Sequence, residues 1–296
     1  MHTEVTTERG TTMAADGTRL AWRCWTTPEP RACLVLVHGL AEHGGRYDRL
    51  ATALARRGWC VFCCDLRAHG KSHHGSGPPV VHVDRFEDYF LDVDAAFAWI
   101  GEHHADLPRF VLGHSMGGLI ALRYVLRKPG GLRGAVLSSP ALGIHPDALP
   151  PRILVPFIGP ISRIAPRFRQ PTGLDENTLC RDPDVVRAYI DDPLVSDTVT
   201  VRWYHEFAKA IEAVHEEAGR LVLPLLLMQS GADRIVDPEA PDRWLRRVPE
   251  GLVDYVPWPG LYHELFNEPE KDEVLARTLP WLEEHLQERR QSRPVS

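Results

Sequence analysis

The sequence lacks an apolar segment long enough to cross a bilayer. Its longest apolar stretches, such as Leu221 to Met228, fall far short of the ~18 residues that a membrane-spanning helix needs. The first residues include Glu4 and Glu8 and do not form the apolar core of a secretory signal peptide. These absences lead us to expect a cytoplasmic protein.

Runs of lysine and arginine are also missing. The chain carries 34 basic and 40 acidic residues, with a net charge of -6, so we expect no nucleic-acid partner. Cysteine is scarce, at six positions. The spacing Cys60-x-x-Cys63 lies in an apolar stretch typical of a buried strand, where residues three apart face opposite sides of the sheet. We therefore interpret these cysteines as core residues.

A metal site is not expected either. Four histidines lie in or near the glycine-marked loop that follows Asp65, but their spacing is not that of a tetrahedral site: His69, His73, His74 and His82.

What the sequence does have is an alternation of apolar runs with helical patterns. Candidate strands are 19–24, 33–38, 59–64, 109–114, 134–139, 223–229 and 253–257. Candidate helices are 47–57, 85–103, 116–128, 241–248 and 271–290, the last with a possible kink at Pro280. Near-continuous apolar strands between helices predict a mostly parallel sheet covered on both faces. Ligands then bind beyond the carboxyl ends of the strands.

The alternation breaks between residues 143 and 218. Prolines crowd the start of this segment, and the apolar run from Ile153 to Ile158 is interrupted too often for a core helix. The segment is either an irregular packed connection or a cap over the active site that contacts a lipid. An insertion of this length is usually functional. We therefore predict a cap over 143–218 and a core formed by 1–142 and 219–296.

The most informative motif is G-x-S-x-G at residues 113–117, with Ser115 at its centre. A candidate strand precedes it and a helical pattern follows it. A serine on such a turn projects its hydroxyl at the carboxyl edge of the sheet. This context predicts a nucleophilic serine, which needs a base to take its proton and an acid to orient the base.

The acid and the base are expected downstream of the serine. Asp233 follows a candidate strand directly and is the predicted acid, with Asp237 as its rival. Two histidines lie beyond Asp233. His263 follows another candidate strand, whereas His285 lies in a charged helix, so His263 is the predicted base. The oxyanion hole is expected to use the backbone N–H groups of Leu40 and Met116.

Several strings in the sequence are more specific than G-x-S-x-G. Residues 38–47 read H-G-L-A-E-H-G-G-R-Y, residues 65–72 fit D-x-x-x-H-G-x-S, residues 189–194 read Y-I-D-D-P-L, and residues 231–234 and 259–264 read G-A-D-R and P-G-L-Y-H-E. With these strings, nearly the whole chain resembles the monoacylglycerol lipase/lysophospholipase group of the α/β-hydrolase fold. The resemblance departs at Phe266, where animal monoacylglycerol lipases carry a second histidine.

The resemblance implies a set of roles. It assigns Ser115, Asp233 and His263 to a catalytic triad, the oxyanion amides to Leu40 and Met116, and the glycerol end of the pocket to Glu42, Arg46 and Tyr189. It implies a serine esterase that needs no cofactor and cleaves monoacylglycerols with medium or long acyl chains. A lysophospholipase, a short-chain esterase, a proline-releasing peptidase and a noncatalytic binding protein remain alternatives. The apolar cap further predicts peripheral membrane contact.

Overall fold

The computed structural model describes residues 4–75, 77–149, 153 and 155–287. Eight strands form its main sheet: β1 (Thr6–Met13), β2 (Arg19–Thr26), β3 (Ala32–Val37), β4 (Trp59–Cys64), β5 (Arg109–His114), β6 (Leu132–Ser138), β9 (Leu225–Ser230) and β10 (Val253–Trp258). Their order is β1-β2-β4-β3-β5-β6-β9-β10. The pairs β1·β2 and β2·β4 are antiparallel, and the others are parallel. The expected mostly parallel sheet is confirmed.

Helices cover both faces of this sheet. The core helices are α1 (Asp48–Ala55), α2 (Asp88–His103), α3 (Met116–Arg127), α7 (Ala240–Leu245) and α8 (Lys271–Gln287). Residues of α1 and α8 form one apolar cluster, and residues of α2 and α3 form the other. Cys60 belongs to one cluster and Cys63 to the other, which confirms that the two thiols face opposite sides. All six cysteines are buried and unbridged.

None of the helices in the described ranges has both the length and the apolar character needed to span a membrane.

The segment between β6 and β9 forms a layer outside the sheet. It contains α4 (Val155–Ile164), β7 (Arg169–Pro171), α5 (Pro183–Ile190), β8 (Thr198–Thr200) and α6 (Val201–Glu216). Strands β7 and β8 pair antiparallel, and α6 packs on both α3 and α4. Hence α6 joins this layer to the core. The cap boundaries at 143 and 218 stay a prediction.

The elements that were not predicted from sequence are strand β1, helices α5 and α6, and the pair β7 and β8. Strand β1 was not predicted, because its residues alternate between threonine, charged residues and glycine on an exposed edge. Helix α4 forms in spite of Pro160, but Ser162 is its one buried residue. The segment is therefore a surface helix, in agreement with the expectation that it is not a core helix. Residues 288–290 of the predicted C-terminal helix lie outside the described residues.

Candidate active site

Ser115 lies on the tight turn between β5 and α3. Its backbone has φ 54° and ψ −120°, a strained conformation for a residue with a side chain. The turn is held in place because Ser115 N–H donates to the Ser138 carbonyl at 3.0 Å and its own carbonyl accepts from Ala141 N–H at 3.0 Å. The strain is thus fixed by the neighbouring strand, and the hydroxyl stands at the carboxyl edge of the sheet.

Two glycines allow this turn to pack closely. A Cβ atom on Gly113 would lie 2.4 Å from the Gly117 carbonyl oxygen, and one on Gly117 would lie 2.1 Å from the Val37 carbonyl oxygen. Neither space can hold a methyl group. The motif therefore needs glycine at both positions for close approach of the backbone.

Asp233 and His263 form a buried pair at the same edge. His263 Nδ1 donates to Asp233 Oδ2 at 2.7 Å, while Asp233 Oδ1 accepts from the N–H groups of Ile235 at 2.9 Å and Val236 at 3.0 Å. The carboxylate can only accept, so it fixes the histidine tautomer that leaves the Nε2 lone pair free. Burial alone would lower the pKa of His263, but the charge and hydrogen bond of Asp233 raise it above its ordinary value.

The loops that carry the pair are joined by backbone contacts. Ala232 N–H donates to the Leu261 carbonyl at 3.1 Å, and Ser230 Oγ donates to the same carbonyl at 2.5 Å. Asp237, the rival acid, instead pairs with Arg243. These hydrogen bonds therefore hold together the loops that carry Asp233 and His263. Asp237 takes no part in the pair.

Ser115 and His263 line one cavity of about 760 Å³, a volume that includes its opening to solvent. In the described structure they do not hydrogen-bond to each other. Such contacts are often long before substrate binds and tighten in the reacting complex. His114, next to Ser115, packs its ring 4.8 Å from that of His263. Burial and the nearby His263 lower the pKa of His114 to about 4, so it stays neutral.

The two predicted oxyanion amides border the same cavity. Within the described part of the chain, no acceptor takes up the N–H of Leu40 or of Met116. Gly39 N–H, by contrast, donates to Glu42 Oε1 at 2.6 Å. The N–H groups of Leu40 and Met116 are therefore available as donors, whereas the N–H of Gly39 is already donated to Glu42.

Arg46 is the centre of a buried charged cluster at one end of the cavity. Its Nη1 donates to Glu42 Oε2 and to Glu264 Oε1, both at 2.6 Å, and its Nη2 donates to Glu264 Oε2 at 2.9 Å. Tyr47 OH donates to Glu42 Oε1 at 2.6 Å. Burial opposes ionisation of Glu42, but the positive charge of Arg46 outweighs it and lowers the pKa of Glu42 to about 2.

Tyr189, from the layer between β6 and β9, closes this end. Its ring lies 4.6 Å from the Arg46 guanidinium carbon, and the side chain is buried. All three residues predicted for the polar end, Glu42, Arg46 and Tyr189, thus line the cavity together. Sequence reasoning missed Glu264, which also lines the cavity. Its position next to His263 was the available signal.

The rest of the cavity is mainly apolar. Its lining comes from both the core and the layer between β6 and β9, and includes Ala141, Ile144, Ala148, Leu174, Leu179, Trp203, Phe207, Ile235 and Val236. The cavity therefore has an apolar side and a polar end, and Ser115 is one of the residues that line it. Among the described residues, no group of three or more metal-ligating side chains is placed to hold a metal ion.

Comparison with solved structures gives the fold. The crystal structure of the monoacylglycerol lipase of Paleococcus ferrophilus matches 90% of this chain and 99% of its own, with a TM-score of 0.80 and 35% identity. A soluble variant of the Saccharomyces cerevisiae monoglyceride lipase, in complex with a substrate analog, has a TM-score of 0.80 at 23% identity. The protein is an α/β-hydrolase.

Sequence comparison gives the family. The serine aminopeptidase, S33, family model matches residues 28–270. A phospholipase of Bacillus subtilis is 35% identical over 88% of this chain and 99% of its own, and the monoacylglycerol lipase of Mycolicibacterium smegmatis is 36% identical over 91% and 95%. The chain belongs to the S33 serine aminopeptidase family of hydrolases.

Proposed function

We propose that the protein is a serine esterase that releases fatty acid and glycerol from monoacylglycerols. The observation that carries this proposal is the buried Asp233–His263 pair, whose histidine lines the same cavity as Ser115 and has its Nε2 lone pair free. The apolar side of the cavity suits an acyl chain, and the polar end suits a glycerol. The relatives named as monoacylglycerol lipases support the same substrate.

In the first half-reaction, His263 Nε2 takes the proton of the Ser115 hydroxyl as its oxygen attacks the ester carbonyl. The N–H groups of Leu40 and Met116 stabilise the oxyanion. His263 then gives the proton to the glycerol oxygen, which leaves, and an acyl-Ser115 ester remains. Asp233 stabilises the imidazolium throughout.

In the second half-reaction, water takes the place of glycerol. His263 removes a proton from the water, whose oxygen attacks the acyl carbonyl, and the same two amides hold the oxyanion. The fatty acid leaves and the proton returns to Ser115. Both halves require a neutral His263.

The central test is removal of the nucleophile. Ser115→Ala should lower kcat by several orders of magnitude, up to about a million-fold, and abolish labelling by a fluorophosphonate. Ser162→Ala is a matched control, since its buried hydroxyl has no partner in the described structure and does not line the cavity. Retention of half the esterase activity in Ser115→Ala would contradict the proposal.

Substrate class is tested with a panel of monoacylglycerols, lysophospholipids, p-nitrophenyl esters and amino-acid anilides. A preference for monoacylglycerols is expected. An aminopeptidase, as the family description reads, needs a carboxylate that is free to bind an ammonium group. The two carboxylates that line the cavity in the described structure, Glu42 and Glu264, are both paired with Arg46, which favours an ester substrate.

We also propose that the cap binds anionic membranes from the cytoplasm. Phe157, Ile161 and Ile164 occupy positions i, i+4 and i+7 of α4, on one helix face, and all are exposed. Ile153 and Phe168, at 77% and 61% exposure, extend this apolar surface. Exposed apolar patches of this kind are typical of interaction sites.

Exposed arginines adjoin the patch at positions 163, 167 and 169, so an anionic surface is the expected partner. Flotation with phosphatidylglycerol vesicles should recover the protein, and neutral vesicles should recover less. Phe157→Ser should weaken binding, whereas Val222→Ser, which changes an exposed apolar residue of the core, should not. Equal recovery of the two variants would contradict this proposal.

A further inference from the structure

The polar end of the cavity contains more negative than positive charge. Arg46 is the one lysine or arginine among the described residues that line the cavity, and the carboxylates of Glu42 and Glu264 both line it. The cluster therefore has a formal charge of −1. Asp233 adds another negative charge behind His263 whenever that histidine is neutral.

Arg46 donates most of its N–H groups to the two carboxylates. Both hydrogens of its Nη1 and one of its Nη2 are donated to Glu42 and Glu264, and the Tyr189 ring covers one face of the guanidinium. The Nε–H and the second Nη2 hydrogen are not donated in the described structure, so an anion could still reach this edge of the guanidinium. The two carboxylates nevertheless outnumber the one positive charge, and the cluster as a whole repels an anionic ligand.

Both carboxylates are ionised in this setting. Glu42 accepts from Gly39 N–H, Tyr47 OH and Arg46, and its pKa is held near 2. Glu264 accepts bidentate hydrogen bonds from Arg46 and a third hydrogen bond from Asn267 Nδ2 at 2.8 Å. A carboxylate that only accepts is in its charged form.

The cluster is close to the nucleophile. The point where a Cβ atom on Gly39 would stand lies 2.8 Å from Glu42 Oε1 and 3.4 Å from Ser115 Cβ. Glu264 directly follows His263 in the chain. Both carboxylates are nearly inaccessible to solvent, so water screens them little, and a charge on the leaving group would feel them strongly.

We propose that Glu264 is a specificity-determining residue that excludes anionic head groups from the alcohol side of the cavity. Its charge turns a neutral Glu42–Arg46 pair into a net negative cluster. The enzyme then accepts neutral monoacylglycerols and rejects lysolipids whose head group ends in a phosphomonoester. This inference rests on the proposed esterase function.

The first experiment uses the wild-type protein and three soluble substrates with one acyl chain: a monoacylglycerol, the corresponding acylglycerol phosphate, and its uncharged dimethyl phosphate triester. We expect kcat/KM for the phosphate to be at least a hundredfold below that of the triester. Rejection of the triester as strongly as the phosphate would show exclusion by size and overturn the inference. If none of the three is hydrolysed, the proposed function itself has failed.

The second experiment removes the charge. Glu264→Gln keeps the length of the side chain, and the preference for triester over phosphate should narrow at least tenfold, or about 1.4 kcal/mol. The ratio is the readout, because a general loss of activity affects both substrates alike. Glu270 lies in the same segment and pairs with Arg181 outside the cavity. Glu270→Gln therefore removes one charge without changing the cavity and should leave the ratio unchanged.

Ionic strength gives an independent measurement if Glu264→Gln does not fold. In the wild-type protein, salt screens the buried carboxylates little, so the discrimination against the phosphate should persist at high ionic strength, and hydrolysis of the two neutral substrates should be unchanged. An unchanged ratio in Glu264→Gln, or discrimination that high salt abolishes in the wild type, would refute the role of Glu264.

Discussion

Three buried histidines make the stability of this protein sensitive to mild acid. His69 is 1% exposed, its Nδ1 donates to the Arg67 carbonyl at 2.9 Å, and its Nε2 has no partner in the described structure. Burial, together with the neighbouring His38 ring, lowers the pKa of His69 to about 3. His114 and His38 are also buried, and their pKa values are lowered as well.

The sign follows from proton uptake. In the unfolded chain these histidines titrate near 6.5, whereas the folded protein keeps them neutral to much lower pH. Stability is therefore fully present above pH 6.5 and is lost as the pH falls toward the folded pKa values. At pH 5, His69 and His114 should each lower the free energy of unfolding by about 2 kcal/mol relative to its value above pH 6.5. His263 has the opposite shift, but its contribution is constant below pH 6.5. This loss is a large share of the free energy of unfolding, which is typically about 5–15 kcal/mol.

Urea unfolding, followed by tryptophan fluorescence between pH 7.5 and pH 5, measures this slope. His69→Phe fills the same space without a titrating group, so the slope should fall by about one proton, or roughly 1.4 kcal/mol per pH unit. His74→Gln, at an exposed position, should leave the slope unchanged. If His69→Phe keeps the wild-type slope, His69 is protonated equally in both states and the reasoning is wrong.

The parts of the fold that were predictable from sequence carry their signal locally. Strands β3 to β6 and β9 are continuous apolar runs, because both faces of a parallel sheet are covered. The order of Ser115, Asp233 and His263 along the chain, each after a strand, was enough to predict that they meet at one edge. The Asp233–His263 hydrogen bond agrees with that prediction; the catalytic roles stay a proposal.

The layer between β6 and β9 was harder to predict, because its prolines obscured the regular pattern that follows them. Helix α6 contains no proline and buries Trp203, Phe207, Ala210 and Val214 at helical spacing on one face. Thr200 caps its first turn by accepting from Trp203 N–H at 3.2 Å. Both signals are present in the sequence. The helix was missed because the whole insertion was interpreted from its proline-rich first half.

The Arg46 cluster could not be predicted from local pattern at all. Glu42 lies four residues before Arg46, a spacing that suggests an ion pair on a helix. Glu264, however, is 218 residues away, and no periodicity joins the two. The contact exists because the loop after β3 and the loop after β10 meet at the same sheet edge. Similarly, the loop position of His69 gave no indication that it is fully buried.

Two further substitutions test the geometry of the site. Gly117→Ala would place a methyl group 2.1 Å from the Val37 carbonyl oxygen. It should therefore displace the end of β3, which precedes Leu40, and abolish esterase activity. A variant with normal kcat would refute the need for glycine. Asp233→Asn should lower kcat by about 10⁴-fold, because the amide no longer fixes the His263 tautomer. Since Asp233 raises the pKa of His263, and the base must be neutral, the acidic limb of kcat/KM should move to lower pH in this variant. An unmoved limb would mean that another group titrates there.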